Sequence, residues 1–314
     1  MIKSNFHTHS TFCDGKNTPE EMVEVAIEKK IDILGFSSHS MYPFSSDWHI
    51  PSNSHEEYIR EILRLKKKYS GRIKIYAGFE ADYIAGVCSP DFKNYEKFNP
   101  DFLIGSVHFV PGKKGFFEAD GNQDSVCKRI KECFGGNVKK AVQEYFSLER
   151  EMLEKSSFTF LGHADLIRKQ NLGGRNLFDE NSQWYKNELK EVAKAAAKTG
   201  VCVEVNTGGI LRSGMNLPYP SPYFLSLLKE RNVPVTITSD AHLAFGIDWW
   251  FDEEITDGRS LQMLADSLQR IGLPIRVART RGSQHIALHE IVELGLRYLL
   301  GGSLGDGTTR TKIV

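Results

Sequence analysis

Two histidines stand two residues apart near the start of the chain, in the run Asn5-Phe-His-Thr-His-Ser-Thr-Phe-Cys-Asp-Gly. On a β-strand the period of two sends both imidazoles, His7 and His9, to one face. That is a half-site for a divalent ion such as Zn, Mn or Fe. Asp14 follows within reach of a turn, and the same residue types then recur as His39, Glu80, His108, His163, Asp240 and His242. One histidine at a strand end is more often a hydrogen-bonded structural residue, and Asp-Gly is a turn dipeptide. A whole set on one rim points instead to metal. It exceeds the four to six positions of one ion and suits two or three ions sharing a carboxylate, with Glu80 as the natural bridge. Ions about 3.5–4 Å apart can hold a hydroxide and clamp a phosphoryl oxygen. Histidine-rich ligation favours Zn, Mn or Fe over Mg or Ca, which prefer oxygen.

The elements that must position these residues alternate regularly. Apolar or β-branched runs predict strands over 2–7, 32–40, 74–83, 102–109, 158–165, 201–207 and 235–242. Six of these end in His, Asp or Glu, and the other ends at Asn206. Helices are expected between them: one opening at Thr18-Pro19, then 54–69, a short one at 91–98, 138–155, 180–199 and 221–232. Residues 111–136 read as a long loop with a short helix at 125–133. Buried strands separated by helices imply parallel pairing with both faces covered. Seven such units suit an α/β fold of the (β/α)7 barrel type, with an open sheet as the alternative, and in such barrels the C-terminal strand ends carry the chemistry. Beyond His242 the pattern weakens. A helix at 260–271, an eighth strand at 274–278 and a closing helix at 285–300 are expected, then a frayed tail at 301–314. No linker divides the chain, so 1–300 is expected to be one domain.

Bulk composition narrows the partners. The 314 residues are 40% hydrophobic and 25% charged, and Lys+Arg and Asp+Glu both number 40. That balance argues against a nucleic-acid or membrane partner. No apolar run could span a bilayer, and the N-terminus lacks a signal-peptide pattern. Five cysteines without a CxxC pair read as reduced thiols of a cytoplasmic protein. Oligomeric state is not legible.

His7-Thr-His9, Ser38-His39, Gly78-Phe-Glu80, Ser106-Val-His108, Gly162-His163-Ala-Asp165 and Ser239-Asp240-Ala-His242 together resemble the PHP (polymerase and histidinol phosphatase) superfamily, over about residues 1–243. The strings from Gly162 through Arg168-Lys169, from Glu204 to Arg212, and Pro218-Tyr-Pro-Ser221 look like its histidinol-phosphatase branch. The resemblance implies a distorted, TIM-like (β/α)7 barrel with a trinuclear site. His7, His9, Glu80 and Asp240 would hold one metal, Asp14, His39 and His242 a second, and Glu80, His108 and His163 a third. It implies hydrolysis of L-histidinol phosphate to L-histidinol and phosphate in histidine biosynthesis. One departure is Ser37-Ser38 before His39, where many relatives carry an acid, so a different partner is expected to orient His39.

Such chemistry would need cationic grips on phosphate and a proton donor for the leaving alkoxide. Arg168 and Arg212, just past strand ends, are the candidates for the first, and Asp240 or His242 for the second. Phe12, Phe44, Trp48, Tyr83 and Phe109 flank the rim and could wall a pocket for an imidazole ring, although aromatics are more often plain packing. His49, His55, His285 and His289 read as surface or structural, and Glu204 and Asn206 as residues that orient neighbours. Two rivals remain: a phosphodiesterase or nuclease on the same site, and a non-catalytic metal-binding protein.

Overall fold

The computed structural model describes residues 3–249 and 251, together with 277–280 and 283–286. β1 (Ser4–Asn5) leads into α1 (Pro19–Glu28), which starts at a capping box between Thr18 and Glu21. β2 (Ile33–Phe36) and β3 (His39–Ser40) are one expected strand broken at Ser37-Ser38, where the Ser37 amide donates to Thr8 O and Ser37 O accepts from the Glu80 amide. Then come α2 (His55–Lys68), β4 (Lys74–Asp82), β5 (Phe102–Ser106), β6 (Phe109–Gly112), β7 (Gly115–Glu118), α3 (Gln123–Phe134) and α4 (Val138–Lys155). β8 (Phe160–Leu161), α5 (Gln183–Thr199), β9 (Cys202–Asn206), α6 (Gly208–Ser213), α7 (Pro222–Glu230) and β10 (Val235–Thr238) complete the alternation. β11 (Val277–Thr280) and β12 (Ser283–Ile286) pair with each other. No described helix is long and apolar enough to cross a membrane.

The strands lie in the order β1-β2-β4-β5-β8-β9-β10, all parallel, with β3 pairing on β4 beyond the end of β2. The two ends meet. Thr8 bridges Ala241 in parallel sense, the His9 amide donates to Ala241 O at 2.9 Å, and the Ala241 amide donates to His7 O at 3.1 Å. The result is a nearly closed seven-stranded barrel wrapped by helices, as a run of right-handed β-α-β units dictates.

The period of two decides what fills it. On β4, Ile75, Ala77, Phe79 and Ala81 pack outward with Ile62 and Leu65 of α2. The alternate residues Tyr76, Gly78, Glu80 and Asp82 face inward. Inward positions on β5 and its extension are Phe102, Ile104, Ser106 and His108; on β9 they are Cys202, Glu204 and Asn206. Lower inward positions are apolar, and Phe102, Ile104, Phe160 and Cys202 form a small core with Phe6 and Tyr76. The rings of Phe6, Phe102 and Phe160 have centroids 5.2–5.7 Å apart. Upper inward positions are polar or ionisable. A second core lies under α4, α5 and α7.

Three expectations change. Residues 109–118 form an antiparallel hairpin rather than a loop, with Phe109 opposite Glu118 and Val110 opposite Phe117; the short arms and Gly112-Lys-Lys-Gly115 turn hide its alternation, yet Val110 and Phe117 are buried. α6, within the 208–213 string, was not anticipated. The expected strand at 274–278 and helix at 285–300 overlap β11 and β12, which form a separate antiparallel pair and add no eighth barrel strand among the described residues. The helix at 260–271, residues 287–300 including His289, and the tail at 301–314 lie outside the described residues.

Candidate metal centre

Glu80 sits at the middle of the barrel mouth, 1% exposed. Its Oε2 lies 3.0 Å from His7 Nε2, 3.5 Å from His9 Nε2 and 2.8 Å from His39 Nδ1. Its Oε1 lies 2.9 Å from His163 Nε2 and 3.4 Å from His108 Nε2, and accepts a hydrogen bond from Ser106 Oγ at 2.7 Å. One carboxylate therefore touches five imidazoles brought from four strand ends, His7 and His9 sharing the first. Asp240 Oδ1 is 3.1 Å from His9 Nε2 and 3.6 Å from His7 Nε2. Asp14 stands 3.7 Å from His39 Nε2 and 3.3 Å from His242 Nε2. All nine expected ligands converge.

Potential donor atoms within 4.8 Å of one another fall into three overlapping groups: His9, Asp14, His39 and His242; His7, His9 and Asp240; and His39, Glu80 and His108. This grouping differs from the sets implied by resemblance, because His39 joins two groups and His163 none. Several of these atoms are orphaned. His7 Nε2, His39 Nδ1, Glu80 Oε2 and Asp14 Oδ1 are buried without a hydrogen-bond partner. Buried polar atoms are normally paired, so facing lone pairs without hydrogen bonds fit a cation between them. Mixed imidazole and carboxylate donors suit Zn, Mn or Fe.

The electrostatics prepare the same role. Burial alone would raise the pKa of Glu80, but the imidazoles of His39, His7 and His108 hold it well below the usual carboxylate range. Burial opposes ionisation of Asp240 likewise, and Arg212 with His7 overcomes it. Burial and neighbouring His242 and His39 push His9 well down, leaving a neutral ring for ligation. At His108 burial lowers the value, but Asp82 and Glu80 raise it to about 10. Surplus carboxylate charge thus draws protons that divalent ions would displace.

A supporting shell aims the ligands. His7 Nδ1 donates to Glu204 Oε2 at 2.8 Å, and Glu204 Oε1 accepts from the His163 amide at 2.6 Å and from Asn206 Nδ2 at 2.7 Å. Asn206 also donates to Asp240 Oδ2 at 3.1 Å. Glu204 and Asn206 thus orient neighbours, as expected. Asp240 adopts φ +48°, a left-handed backbone uncommon outside glycine, at the strand end where the barrel closes. Ser37-Ser38 supplies no acid for His39, whose Nδ1 lies against Glu80 itself.

Asp14, His39, His108, His163, Asp240 and His242 line a cavity of about 380 Å³, whose wall also includes Trp48, Glu118, Asp120, Gly121, Leu166 and Arg212. Arg212 donates to Asp240 Oδ2 at 2.5 Å and to His242 Nδ1 at 3.1 Å. Arg168 does not line this cavity. Its guanidinium donates to Glu180 at 3.0 Å and Pro218 O at 3.3 Å, stands 3.6 Å from Asp165, and borders a separate cavity with Asn171 and Leu217. Those acids hold it, so the geometry does not support a phosphate grip or a catalytic role for Arg168. Nor is Asp240 suited to donate a proton, being an anion paired with Arg212. Among the five expected aromatics only Trp48 reaches the cavity wall. Phe109 stacks on it at 5.5 Å, Phe12 packs against Tyr58, Tyr83 lies in the outer core and Phe44 is half exposed.

Sequence reading missed Asp82, Glu118 and Asp120. Asp82 was legible in the period of two, two residues beyond Glu80. Glu118 and Asp120 lay hidden in the unexpected hairpin. His49 and His55, read as surface or structural, are both buried.

A family model described as "PHP domain" matches residues 5–208. The histidinol-phosphatase of Bacillus subtilis (strain 168) is 26% identical over 268 residues, covering 80% of this chain and 98% of that protein. A crystal structure of a histidinol phosphatase described as putative, from Listeria monocytogenes, superposes with a TM-score of 0.69 at 24% identity over 82% of this chain and 99% of that one. The Lactococcus lactis histidinol phosphate phosphatase, solved with Zn, L-histidinol and phosphate, gives 0.58 at 20% identity over 86% and 94%. The two structures share the fold, and the family match spans most of the barrel. The chain belongs to the PHP domain family.

Proposed function

We propose that this protein is a metal-dependent phosphomonoesterase that hydrolyses L-histidinol phosphate to L-histidinol and phosphate, in histidine biosynthesis. The observation that carries this reading is Glu80, one buried carboxylate against five imidazoles, with orphaned donor atoms around its Oε2. The Bacillus subtilis relative with the histidinol-phosphatase name supports the substrate. Two or three divalent ions, with Zn favoured by the Lactococcus lactis structure, would be held by His7, His9, Asp14, His39, Glu80, His108, His163, Asp240 and His242. When bound, such ions offset phosphate charge and make water nucleophilic near neutral pH.

The chain's own residues do the rest. Glu80 would hold ions through its two oxygens, and Glu204 fixes the His7 tautomer. Arg212 holds Asp240 and presents a cation to the cavity, where it can meet a phosphate oxygen. His242, at the cavity edge, would hold an ion through Nε2, since its Nδ1 accepts from Arg212. Glu118 and Asp120 add negative charge to the cavity wall, which opposes a bare phosphate dianion and suits the ammonium of histidinol. The free state of all five cysteines fits a cytoplasmic setting.

Metal-reconstituted protein is expected to release phosphate from L-histidinol phosphate faster than from generic phosphomonoesters, and faster than it cleaves a bis-aryl phosphodiester. Chelation should abolish the activity and added Zn or Mn restore it. Equal rates on all monoesters would overturn the substrate, and retention of activity without metal would overturn the centre.

A further inference from the structure

Asp82 is the last residue of β4 and faces the barrel interior two positions past Glu80. Its Oδ1 lies 2.5 Å from His108 Nδ1 and its Oδ2 lies 2.5 Å from His49 Nε2. His49 Nδ1 in turn lies 2.6 Å from Ser46 Oγ. An ionised carboxylate only accepts, so both imidazoles must carry hydrogen on the nitrogen facing it. His108 Nδ1–H leaves the Nε2 lone pair aimed at the centre, 3.4 Å from Glu80 Oε1. His49 Nε2–H leaves Nδ1 to accept from the Ser46 hydroxyl. Four groups thus form a chain from a half-buried loop serine to a candidate ligand.

The neighbouring residue braces the same corner. Trp48 stacks on His49 with centroids 3.8 Å apart and meets His39 edge-on at 4.7 Å and His108 at 5.4 Å. His39 and His108 are the two histidines grouped with Glu80. We propose that His49, acting through Asp82, is a positioning residue for the His39–Glu80–His108 ion position, making the loop between β3 and α2 part of the metal centre. His49 touches neither the cavity nor the reacting atoms. Its donor occupies one oxygen of a buried carboxylate, and without it that oxygen must find another partner and turn His108 with it.

This rests on the metal-centre part of the proposed function and not on its substrate. The experiment is titration of metal-stripped protein with Zn, followed by calorimetry, and with Co²⁺, followed by visible absorption. His49→Leu is expected to weaken one ion by about 10–100-fold and alter the Co²⁺ spectrum of that position, with the other ions unaffected. His49→Gln keeps a donor where Nε2 stood, and should titrate near wild type. Ser46→Ala should fall between them. Wild-type titration by His49→Leu would overturn the proposal, as would His49→Gln binding as weakly as His49→Leu, since packing alone would then explain the loss. If His49→Leu does not fold, wild-type titration by Ser46→Ala overturns it. A failed substrate screen with the expected titrations would remove the substrate and leave His49 its role.

Discussion

At the scale of single residues, the site pairs each charge with a reason for it. Glu80 and Asp240 remain anions although buried, because imidazoles and Arg212 surround them. Glu118 and Asp120 differ: among the described residues neither carboxylate has an ion-pair partner. Partial desolvation raises the Glu118 pKa and neighbouring Asp120 raises it further, while His108 opposes both. Neighbouring like charges on one cavity wall are relieved by a cation. A charge-assisted hydrogen bond contributes about 1.5–3 kcal/mol. Glu118→Gln and Asp120→Asn are therefore each expected to raise KM for L-histidinol phosphate by about 10-fold or more. KM for phenyl phosphate, a dianion that carries no cation, should stay the same or fall. Steady-state kinetics on the two substrates checks this, and equal changes on both would remove the acids from recognition.

At the scale of elements, inward strand faces graded from apolar to ionisable put the chemistry at one mouth. The aromatic plug below needs space, and glycine provides it on β4. A Cβ on Gly78 would fall 2.6 Å from Phe102 O and 2.7 Å from its ring. The backbone oxygen cannot swing aside as a side chain could. Gly78→Ala is thus expected to destabilise the fold by about 1–3 kcal/mol, read by urea denaturation. It should also weaken metal retention, because Glu80 lies two residues further along the same strand. The β6–β7 hairpin matters for function despite its shortness, since Glu118 ends it and Asp120 follows.

At the scale of the molecule, the barrel closes where His7 and His9 meet Ala241, so closure and metal-site assembly are one event. Outside the site, one electrostatic liability among the described residues is Glu149 on α4. It is buried, Tyr145 OH donates to its Oε1 at 2.8 Å, and its Oε2 has no partner. Burial, reinforced by Asp165, raises its pKa well above 4.5. The folded state therefore keeps this proton after the unfolded chain has lost it. The resulting stability is complete below the unfolded pKa and declines as pH rises toward the folded one, by up to about 1.4 kcal/mol per pH unit. Glu149→Gln preserves the acceptor for Tyr145 and removes the titration. Urea denaturation at about pH 5 and about pH 8 should show the variant gaining on wild type at the higher pH. A constant difference would show that Glu149 does not titrate between them.

The strand and helix alternation and the ligand types were legible along the chain, because these rest on local periods: two along a strand, 3.6 along a helix. The choice of a barrel over an open sheet fell to closure at Thr8 and Ala241. The sequence placed all nine candidate ligands at strand ends, and the structure brings them together at the barrel mouth. Tertiary structure decided what depends on register and closure. It set which nitrogen of His39 faces Glu80 and turned Arg168 to Glu180 while Arg212 entered the cavity. It joined His49 to Asp82 across 33 residues and raised Glu118 and Asp120 into the wall on a hairpin with no clear pattern. Spacing along a chain tells which face a side chain leaves by. Only the packed barrel decides what stands opposite.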